Sequence, residues 1–87
     1  MKSRATPKFW KLYEHLPRSV QRRARKAYQT WKANPSHPSL HFKRVDDEEP
    51  IYSVRVGEDY RVLGFLDEDT VIWYWIGNHN EYERLLK

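Results

Sequence analysis

Three largely apolar segments of six or seven residues lie in the second half of the chain, and each is joined to the next by a turn of three residues. The turns, Gly57-Glu58-Asp59 and Asp67-Glu68-Asp69, contain glycine or acidic residues only. Connections this short join antiparallel strands, because parallel strands need a crossover of about a dozen residues or more. The chain therefore predicts a meander of antiparallel strands over residues 51–56, 60–66 and 70–76.

The N-terminal part of the chain has helical spacing instead. Thr6 and Pro7 are favourable as the N-cap and the first residue of a helix. A second helix is predicted over residues 17–33, and its apolar stripe consists of Val20, Ala24, Ala27 and Trp31. Asn34-Pro35 ends this helix, because a residue before proline disfavours the helical region.

These segments together predict an α+β fold that occupies residues 1–87 as a single domain. An N-terminal helical hairpin packs on a four-stranded antiparallel meander, whose first strand covers residues 40–45. Asn78 and Glu81 form a capping box that opens a short C-terminal helix. The predicted element order is ααββββα. The short, polar segment 1–5 is a candidate for an additional edge strand at the N-terminus.

The composition excludes several classes of protein. Aromatic residues make up 15% of the 87 residues, a content that disordered chains lack. The absence of cysteine excludes disulfides, cysteine-based metal sites and thiol chemistry. No apolar run approaches the roughly 20 residues of a membrane span, and the N-terminus lacks the apolar core of a signal peptide. We therefore expect a cytoplasmic protein that does not enter membranes.

The charges are distributed unevenly along the chain. Residues 1–45 contain 12 Lys or Arg and one acidic residue, whereas residues 46–87 contain four Lys or Arg and 11 acidic residues. The first half therefore carries +11 and the second −7. Such asymmetry is typical of a basic surface that binds a polyanion or an acidic protein. A merely solvated helix surface would have the same composition, so the pattern alone leaves both interpretations open.

Arg55 and Arg61 are the only charged residues within the last three predicted strands. A three-residue turn at 57–59 would place them directly opposite each other on one face of the sheet. Two neighbouring guanidinium groups repel each other unless an anion lies between them, and their planar donors suit phosphate. The alternative interpretation is an ordinary pair of half-exposed sheet residues.

The histidines differ in what they suggest. His37 and His41 have a spacing found in zinc sites, but such sites need three or four ligands, so we expect no metal there. His79 lies at the start of the predicted C-terminal helix, three residues before Tyr82. A helix N-terminus favours the neutral imidazole, which can accept a proton. His79 is therefore a candidate proton carrier, with a structural role at the helix start as the alternative.

Two stretches of sequence carry a resemblance to a known family. They are residues 52–64, YSVRVGEDYRVLG, and residues 73–82, WYWIGNHNEY. Together with the preceding basic helical hairpin they resemble the RelE/ParE superfamily, which comprises toxins of type II toxin–antitoxin systems. The resemblance covers about residues 8–86. It implies an acidic cognate antitoxin as partner, and either metal-independent cleavage of mRNA, often on the ribosome, as in the RelE-like branch, or inhibition of DNA gyrase, as in the ParE-like branch.

For the RNA-cleaving branch, the resemblance also implies site residues. Arg55 and Arg61 match the strand positions that bind the scissile phosphate, and His79 and Tyr82 match the C-terminal positions that close the site. No cofactor is implied. Basic residues on the preceding strand and aromatic residues able to stack on a splayed base are further candidates for RNA binding: His41, Lys43, Arg44, Trp73 and Trp75.

The sequence departs from the superfamily at one strand position. Many active members carry a second basic residue two positions before the one matched by Arg55, where this chain has Ser53. We therefore keep three hypotheses: a RelE-like endoribonuclease, favoured by His79 and Tyr82 beside two arginines; a ParE-like toxin that binds gyrase; and a weakly active RNA-binding module or silenced toxin, favoured by Ser53.

Overall fold

The computed structural model of the protein describes residues 1–86 and contains three α-helices and one five-stranded sheet. In chain order the elements are β1 (Lys2–Ala5), α1 (Pro7–Glu14), α2 (Arg18–Ala33), β2 (Lys43–Arg44), β3 (Ile51–Val56), β4 (Tyr60–Asp67), β5 (Thr70–Asn78) and α3 (His79–Leu86). The α+β fold with its N-terminal helical hairpin and short C-terminal helix is confirmed. None of the helices within residues 1–86 is long and apolar enough to cross a lipid bilayer.

The two predicted helix caps are present. The Thr6 side chain accepts a hydrogen bond of 3.1 Å from the Phe9 backbone N–H at the start of α1. At the start of α3, the Glu81 N–H donates to Asn78 Oδ1 at 2.9 Å, and the Asn78 N–H donates to Glu81 Oε1 at 3.4 Å. This reciprocal pair is a capping box, so α3 begins directly after the last strand.

The sheet has the strand order β1-β5-β4-β3-β2, and therefore one strand more than the four-stranded meander predicted from the sequence. The additional strand is β1, which pairs in parallel with the start of β5, Lys2 lying opposite Thr70 and Ala5 opposite Trp73. Its polar side chains are mostly exposed, because β1 is an edge strand. The periodicity of the sequence gave little sign of it, since the pairing depends on backbone hydrogen bonds to a distant segment.

The first predicted strand is shorter than expected, since β2 comprises only Lys43 and Arg44. Leu40 lies instead in a 3₁₀ turn, Pro38–Leu40, and is buried in the core. His41 follows with a φ of 45°, in the left-handed region, which interrupts an extended chain. Beyond residue 53, the outer edge of β3 is consequently not covered by β2.

The sheet is covered on both faces. The helical hairpin packs on one face, around Trp31, Val54, Val62 and Trp73. A smaller cluster on the other face joins Leu63 and Trp75 to Tyr82 of α3. A register shift at Leu63–Gly64 pairs Leu63 with Trp75 but Gly64 with Trp73, leaving one extra residue on β5. This bulge sends two tryptophans that are two positions apart to opposite faces of the sheet.

Gly64 is required by the packing of the first face. A Cβ atom at this position would lie 2.6 Å from both Trp73 Cε3 and Val71 Cγ1. We expect Gly64→Ala to destabilise the fold by about 1–3 kcal/mol, since rigid neighbours must move to accept the methyl group. For a domain of this size the loss corresponds to a melting temperature lower by roughly 5–20 °C, measurable by circular dichroism. The exposed Glu49→Ala is the control, and equal melting temperatures for the two variants would contradict this view of the core.

Candidate functional site

Arg55 and Arg61 lie directly opposite each other on β3 and β4, in the register that the three-residue turn predicted. Residues paired in this way point to the same face of a sheet. That face is the one covered by α3, because the Arg61 guanidinium carbon lies 5.9 Å from the centre of the Tyr82 ring. The two arginines and the C-terminal helix thus meet at one end of the sheet.

Both guanidinium groups are held by backbone carbonyl groups of the β3–β4 turn. Arg55 Nε donates to the Gly57 carbonyl at 3.0 Å. Arg61 Nη1 donates to the carbonyls of Glu58 and Tyr60 at 3.2 and 2.9 Å. These bonds use few of the five donors that each guanidinium carries, so the remaining N–H groups are available to a ligand.

The same turn positions the C-terminal helix. The His79 backbone N–H donates to the Asp59 carbonyl at 2.6 Å, which fixes the first residue of α3 against the turn. The His79 ring stacks on Tyr82, with ring centres 6.0 Å apart and planes inclined by 27°. The four residues predicted as the core of the site, Arg55, Arg61, His79 and Tyr82, are therefore adjacent in the fold.

His79 has a partner that the sequence analysis did not name. Its Nε2 lies 2.8 Å from Glu83 Oε1, one helical turn further along α3. The Nδ1 atom is buried and has no hydrogen-bond partner within residues 1–86. Donation from Nε2–H to the Glu83 carboxylate leaves the lone pair of a neutral ring on Nδ1. The i, i+4 spacing of a histidine and a glutamate was the sequence signal for this contact.

The positive charge of the arginine pair is not balanced by a neighbouring carboxylate. Over the described residues the ion pairs within 4.0 Å are Lys2–Asp69 and His79–Glu83, and neither includes Arg55 or Arg61. Two adjacent guanidinium groups without a counter-ion form a site that is electrostatically suited to an anion.

Lys43 lies beside this pair. It pairs with Ser53 across β2 and β3, and Ser53 in turn pairs with Leu63. All three therefore share the face that carries Arg55 and Arg61. Ser53 is buried and only 3% exposed, whereas Lys43 is exposed. The neighbouring strand β2 thus places the cation of Lys43 beside Ser53.

The two predicted stacking tryptophans are not surface residues. Trp73 is 6% exposed and packs edge-to-face on Trp31 beneath the helical hairpin, with ring centres 5.1 Å apart. Trp75 is 8% exposed and lies in the cluster with Leu63 and Tyr82. A base cannot stack on either ring without displacing this packing, so the RNA-stacking prediction for Trp73 and Trp75 is wrong for the structure as it stands. The hydrophobic pattern of the sequence did not predict the bulge in β5 that separates the two residues.

The remaining candidates, Arg44 and His41, lie in different places relative to the four core residues. Arg44 faces the helical side, opposite Tyr52, and donates to the carbonyls of Asp46 and Asp47 at 2.9 and 3.4 Å. The backbone N–H groups of Glu49 and Glu48 hold the pKa of the Asp46 carboxyl below its ordinary value. His41 is exposed and lines a cleft beside Arg55.

Metal ligands do not cluster in the described part of the chain. No group of three or more His, Asp or Glu side chains within residues 1–86 is placed to hold a metal ion. His37 is engaged locally, since its Nδ1 lies 2.8 Å from Ser39 Oγ. What the site offers chemically is cationic donors, an imidazole and a phenol.

Comparison with protein families gives one match over most of the chain. A family model described as the ParE-like toxin domain matches residues 18–84. No curated protein matches the sequence.

Several solved structures share the fold. The RelB–RelE antitoxin–toxin complex from Methanococcus jannaschii matches with a TM-score of 0.75 and 19% identity, covering 95% of this chain and 98% of that one. The RelBE2 toxin–antitoxin complex from Mycobacterium tuberculosis matches with a TM-score of 0.71 and 21% identity, covering 90% and 96%. The YoeB dimer from Staphylococcus aureus has a TM-score of 0.71 and 11% identity, covering 91% and 97%. At these identities the likeness concerns the fold.

Proposed function

Because the chain belongs to the family of ParE-like toxin domains, within the RelE/ParE superfamily that its sequence resembles, we propose that it is the toxin of a type II toxin–antitoxin system and cleaves mRNA without a metal ion. The observation that carries the proposal is the unpaired arginine couple Arg55–Arg61 beside His79 and Tyr82. A toxin that acted only by binding another protein would have no evident need for this combination.

The chemistry that suits this site is transesterification within RNA. The 2′-hydroxyl attacks the adjacent phosphate, the bond to the 5′-oxygen of the next nucleotide breaks, and a 2′,3′-cyclic phosphate forms. An enzyme must remove the hydroxyl proton, stabilise the additional negative charge on phosphate and protonate the leaving oxygen. The free N–H groups of Arg55 and Arg61 are suited to the phosphate oxygens. Since DNA lacks the 2′-hydroxyl, it is not a substrate by this route.

His79 is the group suited to proton transfer. Imidazole can accept and donate a proton near neutral pH, and the contact with Glu83 holds the ring in the orientation that it has without substrate. For Nδ1 to reach substrate, the side chain must turn from its buried position, a change compatible with the 43% exposure of the His79 side chain. Tyr82 supports both His79 and Arg61 through its ring.

The partner that we propose for the basic surface is an acidic antitoxin. The RelB–RelE structures from other organisms are antitoxin–toxin complexes. In this chain, residues 1–45 carry +11, a charge that favours rapid association with an acidic segment and makes it weaker as salt rises. The same charge would also attract mRNA and ribosomal RNA.

We expect induction of the protein alone to stop growth and translation and to fragment mRNA, while chromosomal DNA remains intact. Primer extension on cellular mRNA, together with electrophoresis of chromosomal DNA, measures the two outcomes. The purified protein should cleave RNA in the presence of EDTA, because no metal takes part. Broken DNA with intact mRNA would contradict the ribonuclease proposal, and normal growth with soluble, folded protein would favour the weakly active or silenced alternative.

Gyrase inhibition is the second candidate function. It is favoured by the description of the matching family model, which names the ParE-like toxins. The same induction experiment separates the two, since only the gyrase-directed toxin is expected to leave mRNA intact while DNA breaks accumulate.

A further inference from the structure

A second basic surface adjoins the arginine pair, and the proposed reaction does not account for it. A cleft of about 520 Å³ lies between α2 and the β3–β4 turn. Three of the residues that line it are cationic, Arg23, Lys26 and Arg55, and His41 also lines it. Glu58 is the only acidic residue among those lining it.

The residues that α2 contributes form one stripe. Arg23, Lys26, Ala27 and Thr30 follow the i, i+3, i+4, i+7 spacing of a single helix face. The other cations of α2, such as Arg22, are not part of the lining. The two cleft cations are exposed, and within residues 1–86 neither forms an ion pair.

Gly57 brings the two halves of the cleft together. It has a φ of +62°, a conformation that residues with a side chain rarely adopt, and it adds no side chain to the space. Arg23 lies along it, with Cδ 3.7 Å and Nη1 3.9 Å from the position that a Cβ would take. The carbonyl oxygen of Gly57 accepts a hydrogen bond from Arg55 Nε. Arg23 and Arg55 thus converge on one glycine, while Arg55 also pairs with Arg61.

We propose that this cleft binds the phosphodiester next to the scissile one, so that Arg55 lies between two successive phosphates of a single RNA strand. The inference rests on the proposed ribonuclease function and extends it by a substrate-binding subsite. The phosphates of an RNA strand are regularly spaced negative charges. They match a row of protein cations that continues from the Arg55–Arg61 pair to Arg23 and Lys26.

An acidic protein segment suits the cleft less well than RNA. Bound peptide segments usually gain affinity from apolar side chains that enter pockets. The apolar residues of this lining are Ala27, which is small, and Leu40, which is 1% exposed and already packed in the core. The other apolar surface of the lining belongs to the aliphatic stems of long side chains such as Arg23 and Lys26, which end in cations.

The test measures binding of an eight-nucleotide RNA that carries 2′-O-methyl groups throughout and therefore has no free 2′-hydroxyl to attack the phosphate. Fluorescence anisotropy over a series of salt concentrations gives its affinity for the wild type and for the Arg23→Ala/Lys26→Ala double variant. Arg18→Ala/Arg22→Ala is the matched control, since it removes two charges from the same helix outside the cleft. Melting temperatures verify that all three proteins are folded.

We expect the cleft double variant to bind about tenfold more weakly, and the control less than about threefold more weakly. The slope of log K against log salt should fall by about 0.7 in the cleft variant, as expected for one lost phosphate contact on a single strand. Glu58→Gln should tighten binding, because it removes the one negative charge in the lining.

Equal losses in the two double variants would overturn the subsite. The subsite would also be overturned if the cleft double variant bound a decameric glutamate peptide more weakly than the control variant did, but bound the oligonucleotide equally well. Cleavage of the all-ribose octamer separates the two proposals. If the wild type binds through the cleft yet does not cleave, the ribonuclease proposal fails while the anion site stands. If it cleaves and the cleft variant has an unchanged KM, the subsite fails while the ribonuclease stands.

Discussion

His79→Ala is expected to lower the rate of RNA cleavage by about 10²–10⁴-fold, the range typical for loss of a positioned acid–base group. The substitution keeps the backbone N–H that binds the Asp59 carbonyl, so the start of α3 is retained. It removes the imidazole that contacts Glu83 and stacks on Tyr82. Single-turnover cleavage of a labelled RNA, with the melting temperature of each variant, measures the effect.

Two further substitutions separate the possible roles of His79. His79→Gln retains hydrogen bonding but cannot exchange a proton near neutral pH, and it should be as inactive as His79→Ala. Tyr82→Phe keeps the ring on which His79 and Arg61 pack, and so it should retain activity unless the phenol itself donates a proton. A folded His79→Ala variant that cleaves as fast as the parent would show that the imidazole takes no part in the reaction.

Arg61→Ala should reduce cleavage by roughly 30- to 1,000-fold, corresponding to about 2–4 kcal/mol of lost transition-state stabilisation. Arg61 is held by two carbonyl groups of the β3–β4 turn and by the Tyr82 ring, so its guanidinium is already fixed in place before a ligand binds. Arg61→Lys keeps the charge but loses the planar set of donors and should remain impaired. The reaction rate at saturating RNA is the relevant measurement, since the loss is expected in the transition state.

The control for Arg61 is Arg22→Ala, which removes the same charge from an exposed position on α2. It tests whether a general loss of positive charge explains the effect through weaker RNA binding. Equal losses for the two variants would indicate that Arg61 contributes only to the overall electrostatic field. The second alternative is unfolding of a small domain, and a retained melting temperature excludes it.

The parts of the fold that could be predicted from the sequence depend on neighbours along the chain. Thr6 and the pair Asn78–Glu81 cap helices within one turn of their own positions. The three-residue turn at 57–59 sets the register that brings Arg55 opposite Arg61. Short-range geometry determines these features almost completely, so sequence pattern was sufficient.

The features that were missed depend on distant segments. Strand β1 is polar and forms only because its backbone pairs with β5, so its own residues carry little signal. The bulge in β5 divides Trp73 from Trp75, although strict alternation would place them on one face. The convergence of Arg23 with Arg55 requires α2 to lie against the β3–β4 turn, which no local pattern shows.

The four residues of the candidate site were predicted from residue type and order, but the groups that hold them were not. Successive carbonyl groups of residues 57–60 bind Arg55, Arg61 and the first N–H of α3. Backbone acceptors have no residue-specific signature, and the sequence could therefore not reveal that one turn organises the site. The glycine and acidic residues of that turn mark it in the sequence, whereas its main chain makes the contacts.

The parallel pairing of β1 with β5 also has a consequence for the order of events during protein synthesis. Lys2 leaves the peptidyl transferase centre 68 residues before Thr70, its partner. At about 5–20 residues per second, the N-terminal strand waits roughly 3–14 s for a strand to pair with. Because His79 and Tyr82 follow later still, a chain that terminates before Thr70 lacks both the β1–β5 pairing and two residues of the proposed site. A nascent chain therefore has the four residues of the candidate site together only after residue 82 has been synthesised.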